Sequence, residues 1–229
     1  MKIESQPSHR NARPAGSVFG SERTFLYQQQ EAYRMTDQNP AAERIRKRKE
    51  NAVDPETFLS EAGAIQPTDN ERELEFTTEF TGELKEQIEA VQAAGIDEQA
   101  LARLFGVDLE QVTEKDRPYT AWKIRNTVYN WPSADALVFD VATDETLRER
   151  TESWADVPPR QRYRIVQSLR SFQDECLFCS GPIVFNNDPV ESCCSERRVL
   201  TIHCGECGRR FLEFTAEDSE TKDVGIRSG

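Results

Sequence analysis

Apolar residues recur at helical spacing in the middle of the chain. In the segment GELKEQIEAVQAAG, Leu84, Ile88 and Val91 lie at positions i, i+4 and i+7, which places them on one helix face. Gly95 follows the last of them, as expected where a helix stops. Further upstream, Asp54 precedes Pro55 and Gly63 follows within a few residues, the pattern of a short capped helix. We therefore predict a helix in each segment.

The next segment, IDEQALARLFGVDLEQVTEKD, resembles a helix-turn-helix over about twenty residues. Asp97 and Asp108 are candidate caps of two successive helices, and Gly106 occupies the turn between them. The apolar positions of the two helices are Leu101, Ala102, Phe105, Leu109 and Val112. The second helix would present Asp108, Glu110, Gln111 and Glu114 where DNA-reading proteins place Arg, Lys or Asn. A protein-docking helical hairpin and a DNA-binding module therefore both stay open.

Three further helices are predicted before the cysteines begin. TAWKIRNTVYNWP ends at Pro132, TDETLRERTESW begins with Thr143 as its cap, and PPRQRYRIVQSLRSF begins at Pro159. Residues 51–172 are thus predicted to form a small all-α middle domain of helix-turn-helix type.

Apolar runs between turn residues predict short strands nearer the C-terminus. The runs are Pro182–Phe185, Val190–Cys194, Val199–His203 and Arg210–Phe214. We expect an α+β protein with four parts: an extended, partly helical arm (1–50), the helical domain (51–172), a β-rich zinc ribbon (173–216) and a polar tail (217–229).

Charge changes the interpretation of the N-terminal part. The chain has 29 Lys and Arg against 41 Asp and Glu, a net charge of −12. Residues 1–50 alone have ten basic and six acidic residues, a balance of +4, which leaves −16 for the rest. The arm combines aromatic residues (Phe25, Tyr27 and Tyr33) with a basic run (Arg44, Arg46, Lys47, Arg48 and Lys49). It is interpreted either as a docking arm that contacts partners or as a disordered or solvated helix.

The excess of acids and the preference for Arg over Lys, 22 against seven, resemble proteins of haloarchaea. This resemblance implies molar salt, where the Debye length is roughly 3 Å, so that acidity does not exclude DNA as a partner. It also implies a location in the cytoplasm of a halophile or in the virion of a haloarchaeal tailed virus. No apolar leader follows Met1, and no apolar run approaches the ~18 residues of a membrane span. We therefore expect a protein that is neither secreted nor membrane-spanning.

The cysteines give the most specific pattern. Cys176-x2-Cys179 and Cys204-x2-Cys207 are separated by 24 residues, and together with the predicted strands they resemble a zinc ribbon of about forty residues. The resemblance implies one Zn²⁺ held by these four thiolates in a closed structural shell. Cys193 and Cys194 lie between the knuckles. Because adjacent strand residues point to opposite faces, we expect one near the metal and one in the small core.

Catalysis is not expected. The histidines are His9 and His203, so that a Ser-His-Asp or Cys-His arrangement is implausible, and no phosphate-binding glycine loop is present. We expect a non-enzymatic adaptor in an assembly of protein subunits, a homo-oligomer, such as a head, neck or connector component of a virion. The alternative is a DNA-binding protein, either a transcription regulator or a DNA-packaging factor. Neither a membrane nor a small-molecule substrate is expected.

Overall fold

The computed structural model describes residues 40–68, 73–192 and 195–215 and divides the chain into two units, Met1–Glu50 and Asn51–Gly229. Most of the predicted arm, including Phe25, Tyr27 and Tyr33, lies outside the described residues, as do Cys193, Cys194 and the polar tail. In the first unit the described element is helix α1, Pro40–Glu50. Within it Arg46 pairs with Glu50 and Lys47 with Glu43, both at 3.5 Å, while the side chains of Arg44 and Arg48 lie outside the description.

The second unit combines helices with three small sheets. Its helices are α2 (Pro55–Glu61), α3 (Thr78–Ala94), α4 (Glu98–Phe105), α5 (Ala134–Arg150) and α6 (Pro159–Leu169). Three 3-10 turns span Leu109–Gln111, Glu152–Ala155 and Arg170–Phe172. The strands are β1 (Ile65–Pro67), β2 (Leu74–Phe76), β3 (Val112–Glu114), β4 (Ala121–Ile124), β5 (Thr127–Asn130), β6 (Ile183–Ser192), β7 (Ser195–Cys204) and β8 (Arg210–Thr215). They pair antiparallel as β1-β2, β3-β4-β5 and β6-β7-β8.

The helices enclose one apolar core. The predicted stripe of α3 is buried, with Leu84, Ile88 and Val91 at most 6% exposed. Helix α5 is buried on nearly all sides, because Leu137, Phe139 and Leu147 all lie in this core. The predicted caps of α2 and α4 form as expected: the Asp54 and Asp97 carboxylates accept backbone N–H bonds from Thr57 and Ala100.

The all-α prediction for residues 51–172 is wrong, because the segment around Trp122 is a β-hairpin rather than a helix. Trp122 pairs with Tyr129 and Ile124 with Thr127 across the hairpin. Its two-residue turn contains Arg125 at a φ of +56°, the left-handed backbone that tight hairpins require. Aromatic and β-branched residues pack well on a pleated sheet, so they form strands although the segment also fits a helical pattern.

The helix-turn-helix prediction is also wrong in its second helix. Helix α4 forms and ends at Gly106 with a φ of +57°, but Leu109–Gln111 make a single 3-10 turn. Val112 then begins β3, paired with Ile124. The sheet pairing offered by β4 therefore prevails over the weak helical tendency of Asp108–Glu114.

The predicted helix with Thr143 as its cap is longer than expected. Ser133 caps α5, and its side chain accepts the Ala136 N–H. Thr143 lies inside this helix, fully buried, and donates its hydroxyl to the Phe139 carbonyl at 2.7 Å.

Three long strands form the C-terminal sheet. Strands β6 and β7 pair over ten residues each, from Ile183 opposite Cys204 to Ser192 opposite Ser195. Strand β8 pairs only with the C-terminal half of β7, between Val199 and His203. The predicted strands Pro182–Phe185 and Val190–Cys194 thus belong largely to one continuous strand.

None of the helices in the described part of the chain is long and apolar enough to cross a membrane.

Candidate metal centre

Four cysteine sulfurs converge at one end of the C-terminal sheet. The Sγ atoms of Cys176, Cys179, Cys204 and Cys207 all lie within 4.8 Å of one another. The Cys176–Cys207 separation is 3.8 Å and the Cys179–Cys204 separation is 3.5 Å. All four are free thiols, because a disulfide would bring two sulfurs to about 2.05 Å.

These separations fit a tetrahedral cation. Four sulfurs at ~2.3 Å from one ion lie ~3.8 Å apart along the edges of the tetrahedron. The Cys176–Cys207 and Cys179–Cys204 separations match that edge closely, and the upper limit of 4.8 Å requires only small side-chain movements. The four cysteines can therefore hold a metal ion.

The first knuckle folds tightly around Cys176. The Cys176 carbonyl accepts the N–H groups of Cys179 at 3.3 Å and Ser180 at 2.7 Å. Ser180 adopts a φ of +57°, which turns the chain back. Gly181 follows, and a Cβ there would come within 3.0 Å of the Cys204 sulfur. A residue without a side chain is therefore required where the two knuckles approach each other.

The second knuckle repeats this geometry around Cys204. The Cys204 carbonyl accepts the Gly208 N–H at 3.0 Å, and the Cys204 N–H donates to the Arg209 carbonyl at 2.9 Å. The Cys207 N–H donates to the Cys204 sulfur at 3.4 Å, and such donors stabilise a thiolate. The Gly205 N–H donates to the Pro182 carbonyl at 2.9 Å, which joins the second knuckle to the first.

The thiols differ in acidity because they differ in burial and in hydrogen bonding. Burial raises the pKa of Cys176 to about 12. At Cys207 burial acts in the same direction, but hydrogen bonds from the backbone and side chain of Arg209 outweigh it and lower the pKa to about 6. A bound cation deprotonates coordinating thiols outright, so that even buried Cys176 can serve as a thiolate ligand.

The knuckles are attached to the helical body next to the metal ligands. Arg209 donates from Nε to the Asp135 carboxylate at 2.9 Å, and its guanidinium lies 5.0 Å above the Phe178 ring. Ser133, the cap of α5, donates its hydroxyl to the Arg210 carbonyl at 2.5 Å. The start of α5 therefore fixes the residues directly after Cys207.

A buried ion pair makes a second attachment. Arg170 and Asp140 pair through two hydrogen bonds and are at most 2% exposed. The Trp131 indole N–H also donates to Asp140, at 2.9 Å. Arg170 in addition donates to the Phe211 carbonyl of β8 at 3.2 Å. This network ties the sheet to α5 and to the turn after α6.

The sequence identified the thiols but not these attachments. Asp135, Asp140, Arg170 and Arg209 are four charged residues in a chain rich in charges, and no spacing rule selects them. One signal was available: Asp140 interrupts the apolar run ALVFDVA of α5, and an acid within such a run is buried with a partner when the run is buried.

Comparisons with known proteins identify a family. Two family models match the chain: one described as Family of unknown function (DUF8054) central domain, over residues 54–171, and one described as Family of unknown function (DUF8054) C-terminal domain, over residues 174–214. The first covers more than half of the chain, and the second contains all four clustered cysteines. No curated protein and no solved structure matches.

Proposed function

Because the chain belongs to the DUF8054 family, whose function is unknown, we propose its function from its own geometry: a non-enzymatic, zinc-stapled adaptor that holds the subunits of a larger assembly. The four-sulfur cluster carries this proposal. When all four positions of a tetrahedral ion are filled by Cys, no position is left for water or substrate, which is typical of a structural site.

Zinc is the proposed metal. Tetrahedral thiolate sites select Zn²⁺ or iron, and a closed set of four cysteines on two paired knuckles is typical of structural zinc. The core beside the cluster is small, with Phe211 as its one large, fully buried side chain among the described residues. Metal binding would therefore supply much of the folding free energy of this sheet.

The adaptor proposal also rests on rigidity. The sheet is fixed to the helical body by Arg209–Asp135 and by the buried Arg170–Asp140 pair. A metal-stapled module held in one orientation is suited to present surfaces to partners. We propose protein subunits as those partners, with the basic, aromatic N-terminal segment as a contact, in a haloarchaeal cell or a haloarchaeal virion.

We rank DNA binding second. The segment that would have read base edges is a 3-10 turn and a strand, and its exposed residues include Asp108, Glu110 and Glu114. If this chain binds duplex DNA, we expect contacts that tolerate any sequence and arise from the basic residues of 1–50.

The zinc proposal is tested on the full-length protein, purified in 2 M KCl without added metal. Elemental analysis should give one zinc per chain. The double variant Cys204→Ser/Cys207→Ser should contain none, because two remaining thiols cannot complete the tetrahedron. Full metal content in that variant, or iron in place of zinc, would contradict the proposal. Native mass spectrometry of the same sample tests the expected homo-oligomer and any co-purifying DNA.

A further inference from the structure

An open cleft of about 1150 Å³ lies between the helical body and the C-terminal sheet. One wall consists of the loop between β3 and β4 and the start of α5, and the other is formed by Arg210 and Glu213 of β8. Small-molecule pockets are typically enclosed and measure roughly 300–1,000 Å³. A cleft of this size that is open to solvent fits an extended chain segment better.

The cations of this cleft differ from the arginines of the body that are bound to carboxylates. Arg148, Arg150 and Arg170 are all engaged with carboxylates. Within the described residues, by contrast, Lys115 and Arg117 of the cleft form no ion pair. Arg210 lies 3.9 Å from Glu213, beyond the ~2.7–2.9 Å of a charge-assisted hydrogen bond. The cleft thus presents two cations without an ion pair among the described residues and a third, Arg210, whose carboxylate partner is 3.9 Å away.

An aromatic side chain lies in the same cleft. Tyr119 is 46% exposed and contacts no other ring among the described residues. Tyrosine supplies a large contact area at low entropic cost and is enriched at protein interfaces. Its position next to Arg117 and Thr120 provides apolar contact beside the charges.

The carboxylates of the cleft favour a peptide over a nucleic acid as its partner. Glu114, Asp116 and Glu213 line it together with the cations. A polyanion such as a nucleic acid would be repelled by these carboxylates, whereas a peptide of mixed charge can match both signs. Even in molar salt, where the Debye length is ~3 Å, direct contact pairs persist although long-range attraction is lost.

We propose that this cleft binds an extended peptide segment of a partner protein, which presents a carboxylate to Arg117 and Arg210 and packs against Tyr119. The inference rests on the proposed adaptor function and specifies one of its partner surfaces. The zinc knuckle supports the site, because Arg210 follows Cys207 by three residues and its carbonyl is held by Ser133.

The test uses the zinc-loaded full-length chain and a phage-displayed library of random 12-residue peptides. Peptides are selected on the wild-type protein and measured against Arg117→Glu and Arg210→Ala. Lys123→Glu is the matched control. Lys123 is an exposed cation of the β3-β4-β5 sheet, forms no ion pair with any described residue and does not line the cleft. A twelve-nucleotide oligo(dT) is measured in parallel.

We expect selected peptides that contain Asp or Glu and bind Arg117→Glu at least tenfold more weakly than wild type, with Lys123→Glu unchanged. The proposal is overturned if no peptide discriminates between wild type and Arg117→Glu, or if the oligonucleotide binds in the cleft and the peptides do not. Zinc content and oligomer size, measured on the same variants, should stay at wild-type values. Loss of peptide discrimination with normal zinc content and oligomer size would contradict peptide binding at the cleft alone. Loss of zinc or of the oligomer in the wild-type protein would contradict the adaptor proposal.

Discussion

Two glycines of the helical body lie in opposite environments and should respond oppositely to the same substitution. Gly106 has a φ of +57°, and a Cβ there would come within 2.7 Å of the Pro159 side chain. Gly82 lies inside α3 with no atom within 4 Å of a built Cβ. Gly106→Ala should therefore lower the free energy of unfolding by about 1–3 kcal/mol. Gly82→Ala should raise it by about 0.5–1 kcal/mol.

Chemical denaturation of the two variants beside wild type measures both effects. Equal shifts in the same direction would contradict the assigned backbone conformations.

The second residue-scale prediction concerns the stability that the Arg170–Asp140 pair contributes. Both side chains are almost completely buried, so that Arg170→Ala leaves an uncompensated carboxylate and should cost about 3–5 kcal/mol. Arg103→Ala is the matched control, because the Arg103–Glu145 pair is half exposed at the arginine and should cost less than about 1 kcal/mol. Urea denaturation measures the free energy of unfolding of both variants. A comparable loss in both variants would mean that the buried pair does not hold the sheet to the body.

Single residues were predictable from the sequence where chemistry fixes their spacing. Paired Cys-x2-Cys knuckles must turn tightly to place two thiolates on one ion, and the four predicted thiols do converge. Asp54 and Asp97 were predictable as caps because the cap bond is local. Arg170 and Asp140 lie thirty residues apart, and a contact at that separation depends on the packing of three elements.

At the scale of elements, the sequence predicted long helices better than short strands. Helix α3 has a regular stripe and a glycine stop, and it forms as expected. The hairpin β4-β5 was mistaken for a helix, because Trp122 and Tyr129 also fit a helical pattern over so short a segment. They become cross-strand neighbours only through the Arg125 turn. Short apolar segments are ambiguous because tertiary pairing decides between the two periodicities.

The length of the β6-β7 hairpin yields an element-scale prediction about the remaining cysteines. Ser192 pairs with Ser195 nine steps along the ladder from Ile183 and Cys204, about 30 Å at 3.3 Å per residue. Cys193 and Cys194 themselves lie outside the described residues, but each is bonded to one of these serines. We therefore expect Cys193→Ser and Cys194→Ser to retain one zinc per chain, each compared with Cys179→Ser as the depleted control. The sequence likewise predicts that neither cysteine is a metal ligand, although it placed one of them near the metal. Loss of zinc in either variant would contradict this prediction.

At the scale of the whole molecule, positive charge is concentrated in the N-terminal part of the chain. Residues 1–50 have a balance of +4 in a chain whose net charge is −12. They also contain Phe25 and Tyr27, whose apolar surface favours burial against a partner. A segment that becomes ordered on binding must recover roughly 1–2 kcal/mol of backbone entropy per residue. At the molar salt concentration that follows from the proposed halophilic origin, charges contribute little of that, so the aromatic side chains are expected to supply most of the affinity.

Removal of residues 1–40 should accordingly leave a folded, zinc-loaded chain that no longer joins the proposed oligomer. Phe25→Ala combined with Tyr27→Ala should weaken assembly by about 3 kcal/mol or more, roughly a hundredfold in the association constant, because two aromatic rings lose their burial. Replacement of Arg46, Lys47, Arg48 and Lys49 by Gln should lower the association constant by less than about tenfold at the same salt concentration. Native mass spectrometry across a protein dilution series gives all three values. Normal assembly of the truncated chain, or a larger loss from the charge substitutions than from the aromatic ones, would show that residues 1–50 do not hold the assembly through their aromatic side chains.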